Sequence, residues 1–132
     1  MPPMRMIHPE DPAKPIWDKV GSLDSFELFN NQALVAIYKR PERTTGGIIL
    51  TDSTRDEDLW QGKVGIILKV GPSAFVEDTE DQKWFAGSDI GVGDWVIFRP
   101  SDGWPLGVHG QECRILQDIH VKGRISGPDE IW

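Results

Sequence analysis

Val92-Gly93-Asp94-Trp95-Val96-Ile97-Phe98 opens on a turn and runs straight into the strongest β stretch of the chain. Gly and Asp supply turn conformations, and the aromatic and β-branched residues that follow suit a pleated, half-buried surface. The same grammar repeats on both sides. Upstream, residues 33–39 read as a first strand, with Ala33, Val35 and Ile37 on one face and Leu34 and Tyr38 on the other. Both faces are apolar, as in a small barrel whose two sides are covered. Residues 62–70 read as a second strand centred on Ile66-Ile67-Leu68, with Gly62 and Gly65 permitting tight bending. Downstream, Pro100-Ser101-Asp102-Gly103 is a turn by its chemistry. Arg114-Ile115-Leu116 and Ile119-His120-Val121 are predicted to supply the last strands. Fourteen glycines and ten prolines among 132 residues punctuate these runs, which predicts an all-β domain with little helix.

Between the first two strands lies Arg40-Pro41-Glu42-Arg43-Thr44-Thr45-Gly46-Gly47-Ile48-Ile49-Leu50-Thr51-Asp52. A bare aliphatic tripeptide follows two glycines inside a polar, charged connection, and the next apolar residues are Leu59 and Trp60. Core strands normally alternate with polar residues or join a longer apolar block. The tripeptide therefore has two readings: a sticky segment offered to another protein's groove, or a short strand of the chain's own barrel. The distal half, Asp52-Ser53-Thr54-Arg55-Asp56-Glu57-Asp58, is too charged for a core. Connections of this length are usually functional or disordered.

Three blocks, in order, resemble the GroES-like co-chaperonins. The first runs from Phe26 to Arg40 and leads into Gly46-Gly47-Ile48-Ile49-Leu50, the second is Gln61 to Gly71, and the third is Val92 to Phe98, closed by Glu112 to Ile119. The resemblance implies a GroES-like small β-barrel over residues 26–125, with long loop and hairpin excursions. Extended arms flank it, residues 1–25 at the N-terminus and a 126–132 tail. It also implies a homo-oligomer, a heptameric ring in the family pattern. That ring would close by pairing Ile119 to Ile125 with Ala33 to Tyr38 of a neighbour, so Ala33, Val35, Ile37, Ile119, Val121 and Ile125 become candidate interface residues. By the same resemblance Gly46, Gly47, Ile48, Ile49 and Leu50 form a mobile loop. That loop would engage a large chaperonin ring, which itself binds ATP. The 71–91 excursion, read as a hairpin with the acidic tip Glu77-Asp78-Thr79-Glu80-Asp81, is longer than the usual bacterial form.

The arms leave a second reading open, that of a virion structural or cement protein attached to viral shell proteins. Prolines at 2, 3, 9, 12 and 15 favour extended backbone, and Trp17, Ile131 and Trp132 are candidate anchors against neighbours. No site for chemistry is expected. His8, His109 and His120 lack paired-ligand spacing, and Gly-x-Ser-x-Gly, phosphate-loop and dinucleotide motifs are missing. Neither cofactor nor metal is implied. Cys113 alone makes no disulfide and reads as a small buried hydrophobe. A net charge of −7, from 14 basic and 21 acidic residues, argues against nucleic acid. No apolar run approaches the ~20 residues of a membrane span, and a cytoplasmic protein is the expectation.

Overall fold

The computed structural model describes residues 11–39, 49, 64–75 and 90–128. Six strands form one antiparallel sheet: β1 (Gln32–Ile37), β2 (Val64–Val70), β3 (Trp95–Phe98), β4 (Trp104–Val108), β5 (Gln111–Gln117) and β6 (Val121–Ile125). Their order across the sheet is β4-β5-β1-β2-β3-β6. The all-β, GroES-like expectation holds, with one short helix added. The sheet does not close by hydrogen bonds, however, since β4 and β6 are its two ends.

The alternation read in the first strand is the organising feature of the core. Leu34, Ala36 and Tyr38 share one cluster with Val64, Ile66, Leu68, Trp95 and Cys113. Ala33, Val35 and Ile37 share the other with Ile67, Phe75, Val96, Phe98 and Leu116. Val121 of β6 packs against that second cluster, which already draws on β5, β1, β2 and β3. Both faces of the sheet therefore carry a continuous apolar cluster, each drawing on at least five strands. Each large aliphatic side chain so buried contributes about 1.5–3 kcal/mol, and Leu34, Val35, Ile37, Ile66 and Ile67 are all essentially inaccessible.

Two glycines act through proximity. A Cβ on Gly65 would lie 2.5 Å from Val35 Cγ1 and 2.6 Å from the Ala36 carbonyl oxygen. Gly65 thus lets β2 press against β1, whereas the sequence reading gave it a role in bending. A Cβ on Gly103 would lie 2.8 Å from Arg114 Cβ and 2.9 Å from Leu116 Cδ2.

The N-terminal arm is not extended where it is described. Residues Ala13–Val20 form helix α1. Pro12 is the N-cap and Pro15 lies in the first turn, where a backbone N–H has no intrahelical acceptor to lose. Asp11 Oδ1 accepts the N–H of Ala13 at 2.9 Å, and Gly21, with φ +65°, ends the helix by donating to the Trp17 carbonyl at 3.0 Å. Ile16 and Val20 are buried in the first cluster, with Ala13 and Trp17 packed against it. Lys69 Nζ donates to the Leu23 carbonyl at 2.6 Å, and a His109 ring nitrogen meets the Val20 carbonyl at 2.6 Å. Trp17, a candidate anchor to a neighbour, is half-buried and packs against the first cluster.

The last strands are also placed differently from expectation. Asp118–His120 is a 3-10 turn, and β6 begins only at Val121.

Candidate functional site

The connection carrying the aliphatic tripeptide leaves β1 after Tyr38 and returns at Val64. Its neck is rigid. The Tyr38 N–H donates to the Val64 carbonyl at 3.0 Å, and the Tyr38 ring sits edge-on to Trp95 with centroids 5.7 Å apart. Tyr38 is 3% exposed. Of the five predicted contact residues, Ile49 alone is described. It forms an isolated β-bridge and is 58% exposed, a large apolar side chain offered to solvent. Gly46, Gly47, Ile48 and Leu50 lie outside the described residues.

The second long connection leaves β2 from its other end. Gly71 and Ser73 donate to the Gln32 and Asn30 carbonyls, at 2.7 and 3.0 Å, and the chain reaches Phe75 in the left-handed region, φ +57°. A buried carboxylate holds that conformation. Asp118 accepts the Phe75 N–H at 3.0 Å through one oxygen and Asn31 Nδ2 at 2.9 Å through the other. The Asp118 N–H in turn donates to the Asn31 carbonyl at 2.9 Å. Three turns are thereby tied to one side chain that is 6% exposed. The acidic tip 77–81 lies outside the described residues. With seven residues in β2, the two connections emerge roughly 20 Å apart, at opposite ends of the strand.

The predicted interface residues separate into two groups. Ala33, Val35 and Ile37 are at most 1% exposed, and both edges of β1 are already paired, with β2 on one side and β5 on the other. They belong to the chain's own core, and β1 offers no edge to a neighbour. Ile119 is 46% exposed, while Val121 and Ile125 are half-buried on β6. β6 pairs with β3 through Trp95–Ile125 and Phe98–Val121, and its other edge is unpaired among the described residues. Ile131 and Trp132 lie outside the described residues.

The exposed apolar residues Phe29 (62%) and Trp104 (73%) were not singled out by the sequence reading. Phe29 follows the buried Leu28 and precedes the positive-φ Asn30, and Trp104 starts an edge strand. Neither position carries a one-dimensional signal beyond its hydrophobicity.

Nothing in the described residues resembles a reaction centre. No group of three or more His, Cys, Asp or Glu side chains gathers there to hold a metal ion. The cleft beside the β3 turn is lined by Asp94, Trp95, Arg124 and Ser126, and Asp94 is occupied by the Gly91 N–H at 2.9 Å and Arg124 at 3.4 Å. Cys113 is buried, and desolvation pushes its thiol up to about 12, far from a thiolate at neutral pH.

Comparison with known proteins gives one consistent result. A family model described as chaperonin 10 Kd subunit matches residues 25–125. A co-chaperonin GroES of Pelagibacter ubique is 34% identical over 102 residues, covering 77% of this chain and 97% of that protein. The co-chaperonin GroES of Parvibaculum lavamentivorans is 28% identical, covering 77% of this chain and 90% of its own length. That of Clostridioides difficile is 28% identical over 93 residues, 70% of this chain and 89% of its own. The family match begins at residue 25, after helix α1.

Proposed function

Because this chain belongs to the GroES-like co-chaperonin family, we propose that it caps an ATP-driven chaperonin ring and assists protein folding there. Ile48, Ile49 and Leu50 are the contact, and the nucleotide is bound by the partner. The observation that carries this reading is Ile49, 58% exposed on a connection whose neck is pinned at Tyr38 and Val64. An apolar side chain held outside the core gains about 1.5–3 kcal/mol when a groove buries it. Repetition around a ring multiplies contacts that are individually weak. The opposite end of β2 carries the second long connection, so one end of each subunit meets the chaperonin while the other faces away.

Assembly of the cap runs through the free edge of β6, with Ile119 beside it, and not through β1. The virion reading drew on Trp17 as an anchor to neighbours, whereas the family match favours the lid. The lid is therefore the reading adopted here. Electron microscopy of the purified chain mixed with a bacterial chaperonin and ATP tests it. Extra density across one end of the chaperonin cylinder is the expected result. Bare cylinders in every nucleotide state would overturn the proposal.

A further inference from the structure

Among the described residues, Arg114 is a buried cation with no hydrogen-bonded counter-ion. It lies on β5 between Val35 of β1 and Pro105 of β4, on the face that bears Leu116. It is 7% exposed, and its buried Nε–H meets no acceptor. A buried N–H donor without an acceptor is costly, and a guanidinium carries only donors.

The described carboxylates nearby are committed elsewhere or make no ion pair with Arg114. Asp118, four residues along, is held by Asn31 and the Phe75 N–H. Asp102 is paired with Arg99 at 2.7 Å, and the hydrogen bond from Arg99 holds its carboxyl below the usual range. Glu112, two residues back on the same face of β5, makes no ion pair with Arg114 among the described residues.

The surroundings are shaped around this side chain. Gly103 is the residue against which the Arg114 stem packs, and a Cβ there would lie 2.8 Å from Arg114 Cβ and 3.3 Å from Cδ. Its neighbour on β4 is Pro105, followed at the next inward position by Gly107, and both are exposed. β4 ends the sheet, so Arg114 stands one strand from an open edge walled by small or compact residues. A guanidinium fork in that position matches the oxygens of a planar carboxylate or a phosphate.

We propose that Arg114 anchors a binding site for a small oxyanion at the β4 edge of the sheet. The chemistry required is a pair of acceptor oxygens small enough to pass Pro105 and Gly107. Carboxylates and inorganic phosphate share it, and separate titrations distinguish them.

The test uses the full chain, labelled with nitrogen-15 and titrated with sodium acetate or sodium phosphate against sodium chloride at equal ionic strength. The Arg114 Nε–H resonance, assigned by its loss in Arg114→Met, is expected to shift saturably with at least one oxyanion and not with chloride. In thermal unfolding, wild type should gain about 4 °C at ten times the dissociation constant, and Arg114→Met should gain nothing. An Nε–H resonance that no oxyanion moves overturns the proposal, and so do equal gains in wild type and Arg114→Met. Glu112→Gln closes the remaining route. If that change alone moves the Arg114 resonance and added oxyanion does not, Glu112 is the counter-ion and there is no site. Should Arg114→Met fail to fold, Arg114→Lys supplies the assignment, and the wild-type titration decides.

Discussion

Asp118 holds more of the molecule in place than any other polar residue described. It joins the 29–31 turn, the Phe75 backbone and the 3-10 turn that leads into β6. Asp118→Ala leaves the buried Phe75 N–H and the half-buried Asn31 amide without their acceptor, and the buried donor alone costs about 1–3 kcal/mol. Urea unfolding should show a lower midpoint with an unchanged slope, and a variant as stable as wild type would show that solvent replaces the carboxylate. Gly65→Ala tests the close approach of β2 to β1. Its Cβ, 2.5 Å from Val35 Cγ1, forces repacking that costs about 1–3 kcal/mol, where simple loss of chain flexibility would have stabilised the fold. Cys113 supplies a pH dependence. Its folded thiol titrates at about 12, against an ordinary value of 9.0, so the native state keeps a proton that the unfolded chain releases. The stability associated with that proton is complete below pH 9 and is lost as pH rises towards 12. Denaturant midpoints measured across this range should fall, and Cys113→Ala should remove part of the fall.

At the scale of elements, helix α1 contributes by covering the outer face of the sheet. Ile16→Ala is expected to cost about 2 kcal/mol, and deletion of residues 1–24 should lower the melting temperature while leaving the far-ultraviolet β signal in place. Unchanged melting after the deletion would mean that the helix does not pack on the sheet in solution. Strands β1, β2 and β3 were legible because each centres on a continuous apolar run bounded by polar or turn residues, but the register shift between Leu34 and Val35 was not. Helix α1 was not, because five prolines between residues 2 and 15 outweighed the spacing of Ala13, Ile16, Trp17 and Val20. That spacing is the i, i+3, i+4, i+7 stripe of an amphipathic helix, and Pro15 falls where a helix tolerates proline. The β4–β5 hairpin was missed for a related reason. His109 and Gly110 both have positive φ, 49° and 84°, as a two-residue hairpin turn requires. His-Gly is a weaker signal than Asn-Gly, and the edge strand before it contains proline and glycine. Of the proposed contact tripeptide, only Ile49 is among the described residues, and it is 58% exposed. For the interface candidates Ala33, Val35 and Ile37, apolar alternation marked burial without saying whose atoms do the burying, and within the single chain they are core.

For the whole molecule, the account turns on polarity: a six-stranded sheet with the connection that carries Ile49 at one end of β2 and a second long connection at the other. The family supplies the co-chaperonin fold, and the exposed Ile49 on a pinned neck supports the way in which this chain would use it. The direct measurement is co-sedimentation with a bacterial chaperonin, with and without ATP, of wild type and of a variant carrying Ile48→Ala, Ile49→Ala and Leu50→Ala. Wild type should pellet with the nucleotide-loaded chaperonin. The triple variant should remain folded by circular dichroism and lose at least tenfold in capture, since each truncated side chain removes about 1.5–3 kcal/mol of contact per subunit. A triple variant that unfolds would show that the tripeptide is core. Wild-type protein that stays in the supernatant in every nucleotide state would contradict the central claim.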